Sequence, residues 1–112
     1  MESLTVEDLV VGTGKAVEKG ALITVHYTGW LEDGTEFDSS HKRGQPFQCV
    51  IGTRRVIQGW DRGLMGMRVG GRRKLFVPSE LAYGARRMGD TLPAHANLVF
   101  DIELLEVLTR DD

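Results

Sequence analysis

The most regular hydrophobic pattern lies near the C-terminal end of the chain. In NLVFDIELLEVL, Leu98, Phe100, Ile102 and Leu104 alternate with Val99, Asp101, Glu103 and Leu105. A period of two predicts a strand with one face on a core and the other partly wet. ALITVHYTGWL alternates in the same way. Ile23, Val25 and Tyr27 share one face, while Thr24, His26 and Thr28 share the other, with Trp30 on their side. PFQCVIG and RRKLFVP are further strand candidates, the second ended by Pro78. LTVEDLVV is a weaker strand, closed by Gly12-Thr13-Gly14. Between these, LEDGTEF carries the reversal signal Asp33-Gly34 and puts Phe37 and Asp38 on or just after a short strand.

One segment, Ile57 to Met67, reads as helix, with Ile57, Trp60 and Leu64 forming an apolar face at helical spacing. It is too short and glycine-rich to hold by local propensity. Gly59 and Gly63 would instead let its backbone approach a sheet closely. The expected fold class is therefore α+β: a curved antiparallel sheet of about five strands wrapped around one short α-helix. The 112 residues suit a single domain, 1–112, with frayed ends at 1–3 and 108–112.

Composition narrows the function classes. The apolar fraction is 41%, enough for one compact core. A charged fraction of 27% with net charge −2 is ordinary for a cytoplasmic domain and speaks against a nucleic-acid binder. No apolar run is long enough to span a membrane, and the N-terminus lacks the pattern of a secretory signal. Cys49, the only cysteine, allows no intramolecular disulfide and reads as a small apolar residue.

Enzyme signatures with placed nucleophiles or metals are missing. GTGKAVEKG matches a phosphate loop only at its first residues, and no helix signal follows it. His26, His41 and His95 lack metal-ligand spacing, so no metal site or cofactor is expected. His95 reads as a buried, hydrogen-bonded imidazole. Arg68, Arg72, Arg73 and Lys74 alternate along a strand, which splits them between two faces and favours a solvated surface over a basic patch.

What remains is a set of aromatics beside glycines, prolines and strand ends. In order, VHYTGWLEDGTEFDSS, PFQCVIG, VIQGWDRGLMGMRVGGRRKL, PSELAYGAR and LPAHANLVFDIELLEV resemble the FKBP-type peptidyl-prolyl cis/trans isomerases, from about Leu4 to Val107. The resemblance implies the same curved sheet on a short helix, and a pocket lined by Tyr27, Phe37, Asp38, Phe47, Val56, Ile57, Trp60, Tyr83 and Phe100. It makes Trp60 the floor under a proline ring, and the Ile57 N–H and Tyr83 hydroxyl donors to a ligand. The same resemblance implies that Arg43 belongs to the substrate and macrolide site, supporting Asp38 at its rim. Leu92, with Tyr83 and Phe37, is expected to meet the residue preceding the proline.

The implied activity is rotation about Xaa-Pro bonds in proteins, assisting their folding. The implied partners are proline-containing polypeptides and macrolides of the FK506 and rapamycin type, with no nucleic acid and no membrane. A cytoplasmic monomer is expected. A binding module with incidental turnover uses the same pocket. A chaperone with an inserted domain does not fit, because only sixteen residues separate Tyr83 from Phe100. Thr91, Ala94, Met88 and Arg55 depart from common family choices and bear on affinity.

Overall fold

The structure, a computed structural model, describes residues 1–111; Asp112, at the end expected to fray, lies outside them. Among these residues the chain forms six strands: β1 (Thr5–Val10), β2 (Leu22–Leu31), β3 (Glu36–Ser39), β4 (Phe47–Val50), β5 (Arg72–Val77) and β6 (Leu98–Leu108). Two short helices, α1 (Ser40–Arg43) and α2 (Gln58–Gly63), and a single 3-10 turn at Ser79–Leu81 complete it. The strands make one antiparallel sheet in the order β1-β5-β6-β2, and the free edge of β2 is shared by β3 and β4. The α+β expectation holds, with six strands where about five were expected.

The alternation along β2 and β6 has the predicted consequence. Ile23, Val25 and Tyr27 are buried against Leu98, Phe100, Ile102 and Leu104, while Thr24, His26 and Thr28 stay half-buried on the outer face. A bulge opposite Thr24 and Val25 inserts Leu105 without a partner. Leu105 stays exposed as the alternation implies, but the phase of β6 shifts after it, so Val107 is buried. Leu108, placed in the frayed tail by the sequence, pairs with Leu22. The Asp33-Gly34 reversal forms as expected: Gly34 takes φ +94, and the Thr35 N–H donates to Asp33 Oδ1 at 2.9 Å.

Helix α2 is shorter than the Ile57 to Met67 span read from the pattern. Gly66 adopts φ +76, which a helix cannot continue through. Its buried face is Gly59, Trp60 and Gly63, laid on β5. A Cβ on Gly59 would lie 2.4 Å from Val77 Cγ1, and one on Gly63 would lie 2.8 Å from Leu75 Cδ2. The two glycines therefore allow the close approach that the sequence implied.

Two polar expectations need correction. Alternation does split the β5 cations, but Arg73 is not solvated: its side chain is only 12% exposed. It shares the core-side parity of Leu75 and Val77 and donates to the Gly63 and Met65 carbonyls at the end of α2, while pairing with Asp8. It thus satisfies carbonyls that a helix C-terminus leaves unpaired. His95 is exposed and has φ +57, so its place in a turn, not a buried imidazole bond, accounts for it.

Candidate functional site

Trp60 has its side chain beneath a cavity of about 420 Å³. It is 4% exposed and meets three rings edge-on: Tyr27 at 5.0 Å, Phe100 at 5.5 Å and Phe47 at 6.0 Å between centroids. Such edge-to-face contacts are favoured by the ring quadrupole. Phe37 stands edge-on to Phe100 at 5.8 Å. Gly29 makes room for that pair, since a Cβ there would lie 2.7 Å from Phe37 Cζ. Each ring comes from a different element: Tyr27 from β2, Phe37 from β3, Phe47 from β4, Trp60 from α2 and Phe100 from β6. The sheet curvature brings them to one place. Trp60 Nε1 is buried with no hydrogen-bond partner among the described residues. Buried donors are ordinarily paired, so the packing of this indole is set by its ring.

The rim is polar on one side. The Tyr27 hydroxyl donates to Asp38 Oδ2 at 2.5 Å, Arg43 donates to Asp38 Oδ1, and Arg43 Nη2 donates to the Tyr27 oxygen at 3.0 Å. Both carboxylate oxygens are thus engaged, which suits a fixed dipole better than a proton acceptor. Arg43 sits behind Asp38 and does not line the cavity. Its helix is anchored by Ser40, which is fully buried. Ser40 Oγ accepts from the Tyr27 N–H at 2.8 Å and donates to the Tyr27 carbonyl at 3.2 Å. No sequence pattern announced Ser40, because its role is a contact across thirteen residues.

Val56, Ile57 and Tyr83 form the other side. Ile57 caps α2 through its carbonyl, which accepts from the Trp60 and Asp61 N–H groups. Its own N–H donates to no group among the described residues. Arg54 and Arg55 also line this wall. In the sequence Arg55 stands out only as a departure from common family choices, and no motif marks Arg54. The signal available was two adjacent cations directly before Val56.

Leu92 departs from expectation. It is 8% exposed, packs in the main core and does not line the cavity. Reciprocal backbone bonds between Met88 and Leu92 close a tight turn, with Gly89 at φ +63, and the Leu92 side chain lies within the protein. Thr91 and Met88 are exposed on that turn. Ala94 lies in a separate hollow with Leu31, Glu32 and Asp33. Cys49 is half-buried as read; burial pushes its thiol up to about 12, with the Asp61 charge adding to the effect.

Burial also raises the Tyr27 pKa above its ordinary 10.0, and the bond to Asp38 raises it further. Tyr83 is raised by burial and then by the Asp38 charge. Both hydroxyls therefore stay protonated, able to donate, throughout the neutral range. The folded state holds the Tyr27 proton more tightly than the unfolded chain does. That contribution is complete below the unfolded pKa and is lost as pH rises through the raised folded value. Melting temperatures followed from neutral pH past pH 10 should therefore fall more steeply for the wild type than for Tyr27→Phe. Equal falls would show that this hydroxyl is not coupled to folding.

Comparison with known proteins places this geometry. The family model of FKBP-type peptidyl-prolyl cis-trans isomerases matches residues 13–105. The chain is 57% identical over 107 residues to an FK506-binding protein of Neisseria meningitidis serogroup A, covering 96% of this chain and 98% of that one. It is 49% identical over 111 residues to the mouse peptidyl-prolyl cis-trans isomerase FKBP2, covering 93% of this chain and 79% of that one. The crystal structure of AtFKBP13 superposes with a TM-score of 0.87 at 43% identity, covering 94% of this chain and 93% of that one.

Proposed function

The chain belongs to the FKBP-type peptidyl-prolyl cis-trans isomerases, and from that premise we propose that it accelerates rotation about Xaa-Pro bonds in polypeptides and so assists their folding. The observation that carries the reading is the aromatic-walled cavity over Trp60, with unpaired or rim donors beside it.

The barrier to rotation is about 18–20 kcal/mol, because twisting the amide destroys its resonance. No bond breaks, so the reaction calls for no nucleophile, and we propose that it proceeds without a cofactor. The planar amide is strongly dipolar, whereas the twisted amide is less so. An apolar slot therefore disfavours the planar form more, and oriented donors hold the flanking carbonyls. In this scheme the proline ring rests on Trp60, and the Ile57 N–H and the Tyr83 hydroxyl donate to those carbonyls. The Asp38 dipole, held by Tyr27 and Arg43, faces the twisting amide. Shortening exchange from about 100 s to about 10 ms takes a factor of roughly 10⁴, or about 5.5 kcal/mol. Shape selection with a few oriented dipoles is of that order.

Macrolides of the FK506 type are proposed to occupy the same slot, a reading supported by the name of the Neisseria relative. The pocket is complete within one chain, which supports a monomer. The charge balance and single cysteine support a cytoplasmic setting.

The test is an isomerisation assay on peptides that differ only in the residue before proline. With Phe37 and Tyr83 at that position, Leu or Phe should give a higher kcat/KM than Glu or Gly. Full burial of such a side chain is worth about 1.5–3 kcal/mol, and an open rim recovers part of it, so a several-fold preference is expected. FK506 should abolish the acceleration and a chelator should not. Absence of accelerated exchange on every peptide overturns the proposal. FK506 binding without exchange would favour a pure binding module.

A further inference from the structure

A second hollow, of about 650 Å³, adjoins the first and shares Arg54, Val56 and Ile57 with it; Asp61 and Arg62 form part of its far wall. These shared residues, Val56 and Ile57 among them, stand between the two. Arg54 is fixed there in an unusual way. Its φ is +63, a conformation that side-chain-bearing residues seldom adopt and that needs the surrounding structure to hold it. The holding group is Asp61 on α2. Its Oδ1 accepts from the Gly52 N–H at 2.7 Å and its Oδ2 from the Arg54 N–H at 2.9 Å.

This leaves the hollow with an excess of positive charge. Arg54, Arg55 and Arg62 are exposed, and none forms an ion pair among the described residues. Arg62 donates only to its helix neighbour Gln58, at 3.2 Å. Asp61, the carboxylate in the wall, has both oxygens taken by backbone N–H groups. Two of these unpaired guanidiniums, Arg54 and Arg62, line this hollow and Arg55 lines the adjoining one, in a chain whose net charge is −2.

We propose that this hollow is a subsite for an acidic side chain of the polypeptide substrate, with Arg54 and Arg62 receiving the carboxylate. The proposal rests on the isomerase reading of the neighbouring pocket and names a substrate class for it. A chain extends by about 3.3–3.6 Å per residue, so a carboxylate two or three residues from the proline reaches over the Val56–Ile57 divide. Guanidinium groups take carboxylates through paired N–H bonds. The Asp61 clamp fixes the Arg54 backbone in advance, so less freedom is lost on binding. The residue directly before the proline stays on the Phe37 and Tyr83 side and keeps its apolar preference.

The experiment measures kcat/KM on Leu-Pro peptides of one length. Each carries a single Glu, or a Gln at the same place, two or three residues before the proline or one to three after it. One position, or two adjacent ones, should favour Glu over Gln by about five-fold at low salt, as one or two exposed ion pairs would give. The gain should appear in KM and shrink at about 0.5 M NaCl, where the screening length is a few Å. Arg62→Glu should invert the preference at that position. Arg54→Gly, which relieves the backbone conformation while removing the guanidinium, should reduce it toward unity. Equal rates for Glu and Gln everywhere, a gain of the same size at every position, or a gain that survives both substitutions overturns the subsite. If even the Gln peptides show no accelerated exchange, the isomerase reading fails and the subsite fails with it.

Discussion

Trp60→Ala is expected to lower the folding stability by about 3–5 kcal/mol, the usual range for truncating a buried aromatic. The site cannot readily collapse to recover that loss. Trp60 is 4% exposed and held edge-on by Tyr27, Phe47 and Phe100, each carried by its own strand. For a domain of this size that is a large share of the total, which is commonly about 5–15 kcal/mol. Denaturant midpoints measure it. Trp60→Leu keeps more of the volume and should stay folded, with markedly weaker FK506 binding. Fluorescence then separates the two tryptophans. Trp30 lies on the outer sheet face with His26, Thr28 and His41, away from the cavity. The ligand-induced change should vanish in Trp60→Leu and persist in Trp30→Leu. The opposite pattern would remove Trp60 from the floor.

The sequence revealed the strands better than it revealed the site. Alternation in β2 and β6 determines which side chains are buried because both strands lie centrally and have one covered face. The bulge at Leu105 breaks that logic, and nothing in the local pattern marks it. Strand β1 was faint for a physical reason: it is an edge strand with every residue exposed, so it carries no hydrophobic face to detect. The helix was overrun at its C-terminal end because apolar spacing continues past Gly63 while the backbone turns away at Gly66.

At the site, the aromatics came through a motif resemblance, not through periodicity, and the structure brings them together. Leu92 was misplaced because an apolar residue in a polar loop resembles a rim contact until its backbone turn is known. Arg54 was missed because its significance lies in a φ angle and in a carboxylate seven residues away. Ser40 was missed for a similar reason, since its partners are backbone atoms on another strand.

The pairing of the smallest residue with the largest, Gly59 with Trp60, yields a second large expected effect. Gly59→Ala should destabilise the fold and weaken ligand binding together. A Cβ at Gly59 would lie 2.4 Å from Val77 Cγ1 and 2.9 Å from Cγ2. Val77 is fully buried in the β5 ladder opposite Leu98, and its branched side chain has little rotamer freedom. Restoring a 3.4 Å contact therefore means lifting α2 by 1.0 Å (3.4 less 2.4). Alanine is a better helix residue than glycine by about 0.8–1.0 kcal/mol, whereas overpacking a core costs about 1–3 kcal/mol. The clash should win, leaving a net loss of roughly 1–2 kcal/mol. Trp60 is the next residue, so it rides up with the helix and loosens from its three ring contacts, lowering FK506 affinity. Gly63→Ala provides the comparison: its Cβ would meet the end of Leu75, a side chain with a further torsion to adjust, and it should cost less. Combining Gly59→Ala with Val77→Ala removes the obstructing methyl groups and should recover part of the lost affinity. Melting curves and FK506 titrations across these three variants and the wild type measure all of this. If Gly59→Ala is as stable as the wild type and binds equally well, helix propensity outweighs the clash. The close contact between α2 and β5 would then not be what holds Trp60 at the floor.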